Sequence, residues 1–264
     1  MRKNLLGLAA ILAFACGAAH AELRPPAAGL TGYALEERQD KMQSGYVGET
    51  RQMTLTLISP QGEESVRKLA FEGFEGGNRH DKSLLRFTFP ADMKGATLLT
   101  HEQGDGDDDQ WLYLPAVKRI KRIATTNQSG SFMGSEFAYE DLVVRQLDKY
   151  EYRYIGDETI DGKDCYVIER TPKNKASGYS RVVRWRMKDN LQELRSDYYD
   201  RKGELLKRRD MEGHHLVDGY WRVKRILVAN VQTNRKSTIS FDDVKLKVQL
   251  AAERFSVQEF NAAQ

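Results

Sequence analysis

Alternation of apolar and polar residues with a period of two, broken at short intervals by turn-forming residues, dominates this chain and points to an antiparallel sheet. Met53, Leu55 and Leu57 share one face of a strand, with Gln52, Thr54 and Thr56 on the other. Leu85, Phe87 and Phe89 form a second apolar face that Pro90 ends, and Val183, Trp185 and Met187 form a third. Further strands are expected at 65–71, 97–100, 111–114, 150–156, 163–170, 192–200, 204–212, 221–231 and 237–248. Their connections include Pro60-Gln61-Gly62, Asp161-Gly162, Asp189-Asn190, Arg201-Lys202-Gly203 and Asp218-Gly219, all suited to tight turns. Strands joined this closely pair antiparallel, because a parallel partner needs a crossover of a dozen or more residues. Roughly ten such strands must curl or close to bury one face and protect their edges.

Two segments stand apart from the strands. Residues 29–44 carry Leu35, Arg38 and Met42 at helical spacing, with Glu36-Glu37 early and Lys41 late, and Gly45 as a stop. The apolar stripe is thin, so this helix is expected to rest on the sheet. Residues 110–141 begin as a strand, Trp111-Leu112-Tyr113-Leu114, which Pro115 ends. A basic run follows, Lys118, Arg119, Lys121 and Arg122, then a Ser/Gly/Thr/Asn segment bearing the bulky Phe132, Met133 and Phe137. Large apolar residues in such a segment imply that it folds back onto something apolar.

Trp111 to Pro115, the basic run, Ser131-Phe132-Met133-Gly134-Ser135 and the residues from Phe137 to Leu142 resemble the LolA-like family of periplasmic outer-membrane lipoprotein-sorting proteins. The resemblance implies a mainly β (α+β) fold: a large curved antiparallel sheet forming an incomplete β-barrel, roofed by a few α-helices. Residues 30–42 of the helix and the segment 132–142 would be its lid elements. It further implies an apolar cavity for acyl chains, and an arginine that regulates it, for which Arg51 and Arg86 are the candidates. Cavity and lid residues would be drawn from Leu55, Leu57, Leu85, Phe87, Phe89, Trp111, Tyr113, Phe132, Met133, Phe137 and Trp185. Periodicity alone does not separate a hollow core from a filled one.

Residues 1–21 read as a cleavable secretory signal: Arg2 and Lys3, an apolar core at 5–15, and Ala19-His20-Ala21. Cys16 lacks the leucine three places earlier that lipidation motifs carry. Export to the periplasm as one domain, 22–264, is expected, with Cys165 as the remaining thiol in a buried strand. The composition, 30% charged and 40% hydrophobic with a formal net charge of +3, suits an ordinary globular chain and argues against nucleic acid.

Enzyme signatures are missing. His80, His101, His214 and His215 lack metal-ligand spacing, Ser131 and Ser135 lie outside a G-x-S-x-G elbow, and the acidic loop ending Asp107-Asp108-Asp109 fails the EF-hand pattern at Gln110 and Ala116. No cofactor or metal is expected. Lys118, Arg119, Lys121 and Arg122 read either as a solvated strand face or as a contact for anionic headgroups. The expected function is a lipid or lipoprotein carrier making transient membrane contact. The alternative is an accessory subunit of a resistance-nodulation-division type transporter.

Overall fold

The computed structural model describes residues 23–76, 80–103, 106–143 and 147–262. The expected signal segment, with Cys16, lies outside these residues.

Two antiparallel meanders build the sheet. The first runs β1 (Gly48–Ile58), β2 (Glu64–Phe74), β3 (Lys82–Phe89), β4 (Thr97–His101), β5 (Asp109–Leu114) and β6 (Arg119–Ile123). The second runs β7 (Tyr150–Ile160), β8 (Lys163–Pro172), β9 (Tyr179–Met187), β10 (Glu193–Asp200) and β11 (Leu205–Glu212), then, after a hairpin of β12 (His215–Val217) and β13 (Tyr220–Arg222), β14 (Arg225–Asn230) and β15 (Lys236–Leu246). Thirteen strands are hydrogen-bonded in the order β6-β5-β4-β3-β2-β1-β15-β14-β11-β10-β9-β8-β7. The first and last strands are therefore joined in the middle, in register from Glu49 opposite Leu246 to Ile58 opposite Lys236. The strands β6 and β7, consecutive along the chain, form the two outer edges, so the sheet is an incomplete barrel.

Between those edges residues 124–143 and 147–149 lie across the concave face. Its regular parts are short 3-10 turns, Thr125–Asn127, Tyr139–Leu142 and Leu147–Lys149, where the resemblance led us to expect helix. The expected strand at 221–231 is also two pieces. Left-handed backbone at Gly213, Asp218 and Gly219 swings the β12–β13 hairpin out of the sheet, and the chain rejoins it at Lys224, whose amide donates to the Glu212 carbonyl (2.9 Å).

Helix α1 (Gly32–Met42) is capped by Thr31, whose hydroxyl accepts from the Ala34 amide at 3.1 Å. Leu35 is fully buried against Tyr154, Ile168 and Leu191. Gly32 allows this packing: a Cβ there would sit 2.9 Å from the Tyr154 amide nitrogen. Met42 is exposed and the inward stripe is Leu35 and Glu36, a half-polar face that spacing of apolar residues did not predict.

Both faces of the first meander are apolar. Leu85, Leu98 and Leu112 point inward, to Phe132, Phe137 and Tyr139 of the crossover. Their neighbours Leu84, Leu99 and Tyr113 point outward, where a 3-10 turn (Ala252–Phe255) and α2 (Val257–Ala262) cover them with Phe255 and Phe260.

Candidate functional site

The candidate site is the space between the concave face and its two covers, and it comprises two adjoining chambers of unlike chemistry. The smaller, about 130 Å³, is walled by Met53, Phe71, Leu85, Leu98, Phe137 and Ile239. The crossover almost fills the rest of this trough. Phe132 packs at 5.8 Å against the tilted ring of Phe87 and edge-to-face at 5.6 Å against Tyr139, and its backbone is pinned by hydrogen bonds between the Phe132 amide and the Phe137 carbonyl (2.7 Å) and between the Ser135 amide and the Phe132 carbonyl (3.0 Å). Burial of each such aromatic stabilises the cover by about 2–3 kcal/mol.

The larger chamber, about 360 Å³, falls in the size range of small-molecule sites. Its wall is the inner face of the second meander, and that face is charged. Glu36 of α1 receives Arg184 (2.7 Å) and both arms of Arg186 (2.7 Å each). Glu193 is bridged by Arg184 (2.9 Å) and Arg209 (2.7 Å) and accepts from the Ser196 hydroxyl (2.7 Å). At the mouth, Glu49 holds Arg51 and Arg222, each at 2.9 Å, and Arg51 lies over the rings of Phe71 (4.1 Å) and Phe241 (4.8 Å). Burial alone would raise the Glu36 carboxyl, but Arg184 and Arg186 together outweigh it and hold the group at about 2. Glu193 is likewise driven well below the usual carboxylate range by Arg209 and Arg184 against its own desolvation.

The two chambers share Arg51, Phe71, Arg209 and Phe241, so a molecule could extend from one into the other. Asp141, at the end of the crossover, also borders both. It takes the Lys207 ammonium (2.6 Å), the Tyr179 hydroxyl (2.9 Å) and the Ala138 amide (2.7 Å), and Lys207 keeps it ionised despite full burial. Beside it Glu140 accepts from Ser177 (2.7 Å) and the Gly178 amide (2.9 Å), and burial pushes its carboxyl up. This end of the crossover is anchored by a buried ion pair and hydrogen bonds, whereas the Phe132 end combines buried apolar contact with bonds at the rim, from Arg235 to Glu136 (3.1 Å) and to the Gly134 carbonyl (3.2 Å), from Arg67 to the Met133 carbonyl and from the Glu136 amide to Ser237 (3.0 Å).

A protein-family model whose description reads "Uncharacterized protein" matches residues 79–262. A solved domain from Vibrio parahaemolyticus, described as an outer membrane lipoprotein-sorting protein domain, is 35% identical, with 87% of this chain and 98% of that one covered and a TM-score of 0.84. A DUF1329 family protein from Desulfovibrio piger is 32% identical over 86% of this chain and 97% of its own (TM-score 0.82). A LolA superfamily protein from Nitrosomonas europaea shares the fold at 22% identity, over 87% and 99% of the two chains, with a TM-score of 0.70. The chain belongs to the DUF1329 family and has a LolA-like fold. No curated protein matches it.

Of the residues expected to line a LolA-like cavity, Leu55, Leu57, Leu85, Phe87, Phe132, Met133 and Phe137 meet in the apolar trough, with Leu85 and Phe137 bordering its chamber. Trp111 and Tyr113 do not: they alternate with Leu112 and so project to the convex face, against Phe255 and Phe260. Trp185 is outward for the same reason, because Arg184 and Arg186 on either side of it point inward; its indole donates to Glu158 at 2.7 Å. A bulge between Lys68 and Leu69 ends the regular pairing of β3, and Phe89 is exposed beyond it. Arg51 is inside and Arg86 is exposed. The charged wall escaped the sequence reading because Glu36 and its arginine partners lie about 150 positions apart. Alternation of Arg184 and Arg186 around an apolar Trp185 was the available signal, read with the wrong face inward. Cys165 is fully buried and its thiol is pushed up to about 11, chiefly by desolvation, as an inert core residue would be.

Proposed function

We propose that this chain is a periplasmic carrier that shelters the acyl chains of a lipid or lipoprotein on the concave face of its open sheet. The observation that supports this reading most is that the apolar inner face of the first meander is covered by three aromatics of a connecting segment, Phe132, Phe137 and Tyr139, and not by a second sheet. Such a cover can be exchanged for another apolar body. Lifting three aromatics costs about 8 kcal/mol, and roughly ten buried methylenes at about 0.8 kcal/mol each offset it. Loading and release are then close to balanced, as a carrier needs. No covalent step and no catalytic group is involved.

Membrane contact falls to one end of the sheet. There Phe89, Val117 and Val231 are exposed, in or beside the β3–β4, β5–β6 and β14–β15 connections. Lys118 and Arg119 adjoin Val117, Arg235 follows Val231, and Arg67 and Arg235 bond the crossover carbonyls of Met133 and Gly134 at the same end. Apolar tips among cations suit an anionic lipid surface, each nearby Lys or Arg contributing about 1 kcal/mol. Arg119, Lys121 and Arg122 also guard the edge strand β6 against pairing, and Arg122 bonds Asp109. The alternative, an accessory subunit of a resistance-nodulation-division type transporter, has no observation in the fold that favours it.

Native mass spectrometry of the protein purified from the periplasm, followed by organic extraction, tests the carrier reading. Adducts of lipid or lipoprotein mass are expected. A clean apoprotein that also takes up no lipid from vesicles would contradict it.

A further inference from the structure

The charged chamber is more than is needed to hold α1 in place. Four of its carboxylates, Glu36, Glu49, Asp141 and Glu193, are already bridged at 2.6–2.9 Å by five arginines of the lining and by Lys207 outside it, and Arg170 adds a sixth arginine to the wall. With Asp40 and Glu140 the six acids of the lining balance its six arginines, but Nε of Arg51 and Nε of Arg222 are buried without a hydrogen-bond partner among the described residues. Guanidinium N–H groups left unbonded beside such a chamber favour an incoming anion, which guanidinium binds through paired hydrogen bonds. A second observation is independent of charge. Tyr198 borders this chamber and is 1% exposed, and its buried hydroxyl has no hydrogen-bond partner among the described residues. A buried hydroxyl left unbonded is costly, and native folds rarely tolerate one without a use for it. Lys207 and Arg209 each stand 5.2 Å from its ring, so an acceptor arriving at that hydroxyl enters a cationic neighbourhood.

Resting on the carrier reading, we propose that the charged chamber is the head-group site for an anionic amphiphile, its carboxylate or phosphate received by Tyr198, Arg209 and Arg51, with the tail passing into the apolar trough. The shared lining of the two chambers supplies the path, and Arg51 and Arg209 stand at the junction where head becomes tail. The site therefore distinguishes cargo by its head and not by its chain alone.

Calorimetric titration of the delipidated protein with palmitate, hexadecanol and inorganic phosphate tests this. Palmitate should bind at least tenfold more tightly than hexadecanol, and phosphate alone weakly. Tyr198→Phe, a near-isosteric change, should remove most of the preference for palmitate with the thermal midpoint kept. Arg209→Gln should act in the same direction at some cost in stability. Equal affinity for palmitate and hexadecanol in the unaltered protein would overturn the head-group site and leave the carrier reading standing. Phosphate binding as tightly as palmitate would overturn the amphiphile, and an unchanged preference in Tyr198→Phe would remove that residue's role. Binding of neither amphiphile would overturn this proposal and the carrier reading together.

Discussion

The two meanders have the same connectivity and opposite interiors. The inner face of β1 to β6 is apolar and is covered by Phe132, Phe137 and Tyr139; the inner face of β7 to β11 is studded with arginines and is locked to α1 through Glu36. Apolar contact has no preferred direction, so the buried aromatics of the first cover can be replaced by another apolar body once the rim bonds from Arg67, Arg235 and Ser237 to residues 133–136 open. Buried ion pairs are directional and expensive to break, so the second cover is fixed. From this difference we propose that the Phe132 end of the crossover is the moving lid and α1 the stationary wall.

The largest effect should come from breaking the fixed side. Glu36→Gln leaves Arg184 and Arg186 facing each other without their carboxylate, and should cost about 3–5 kcal/mol in a denaturant titration. Glu36 in the folded protein sits at about 2, below its unfolded value near 4.5, so its stabilisation is complete above that value and is lost as pH falls toward 2. The variant should lack that part of the acid-unfolding limb. An identical limb in the variant would mean the ion pairs do not hold α1.

Next comes the lid. Phe132→Ala should cost about 3–4 kcal/mol as a core truncation and, unlike Glu36→Gln, should hasten lipid uptake from vesicles. Loss of stability without faster uptake would place Phe132 in an ordinary filled core. A smaller effect is expected at Gly178, where an added Cβ would lie 2.9 Å from the Ser129 Cβ and 3.1 Å from Glu140 Oε1. Gly178→Ala should cost about 1–2 kcal/mol and loosen the crossover from β9. Smallest is Trp185→Phe, on the convex face, which should leave lipid uptake unchanged and stability within about 1 kcal/mol; a change in uptake would show that the cargo does not enter on the concave side.

Much of this architecture could be read from the sequence, because period-two alternation and turn residues mark strands locally. What alternation does not tell is which face is inside when both are apolar. Leu84-Leu85, Leu98-Leu99 and Leu112-Tyr113 present large apolar groups to both sides, and only the chain end carrying Phe255 and Phe260 decides that Tyr113 is outward. The lid aromatics Phe132 and Phe137 were legible because bulky apolar residues are out of place among Ser and Gly. The charged wall was not, since an arginine on a strand reads as solvent-facing until a distant helix supplies its carboxylate.

Hydrogen–deuterium exchange with and without palmitate tests the division between moving lid and fixed wall most directly. If an acyl chain replaces the lid, the amides of Phe132 and Ser135, whose acceptors are Phe137 and Phe132 carbonyls, should exchange faster in the loaded protein while those of α1 stay as slow as before. Unchanged exchange across residues 131–139, with α1 opening in their place, would contradict the account.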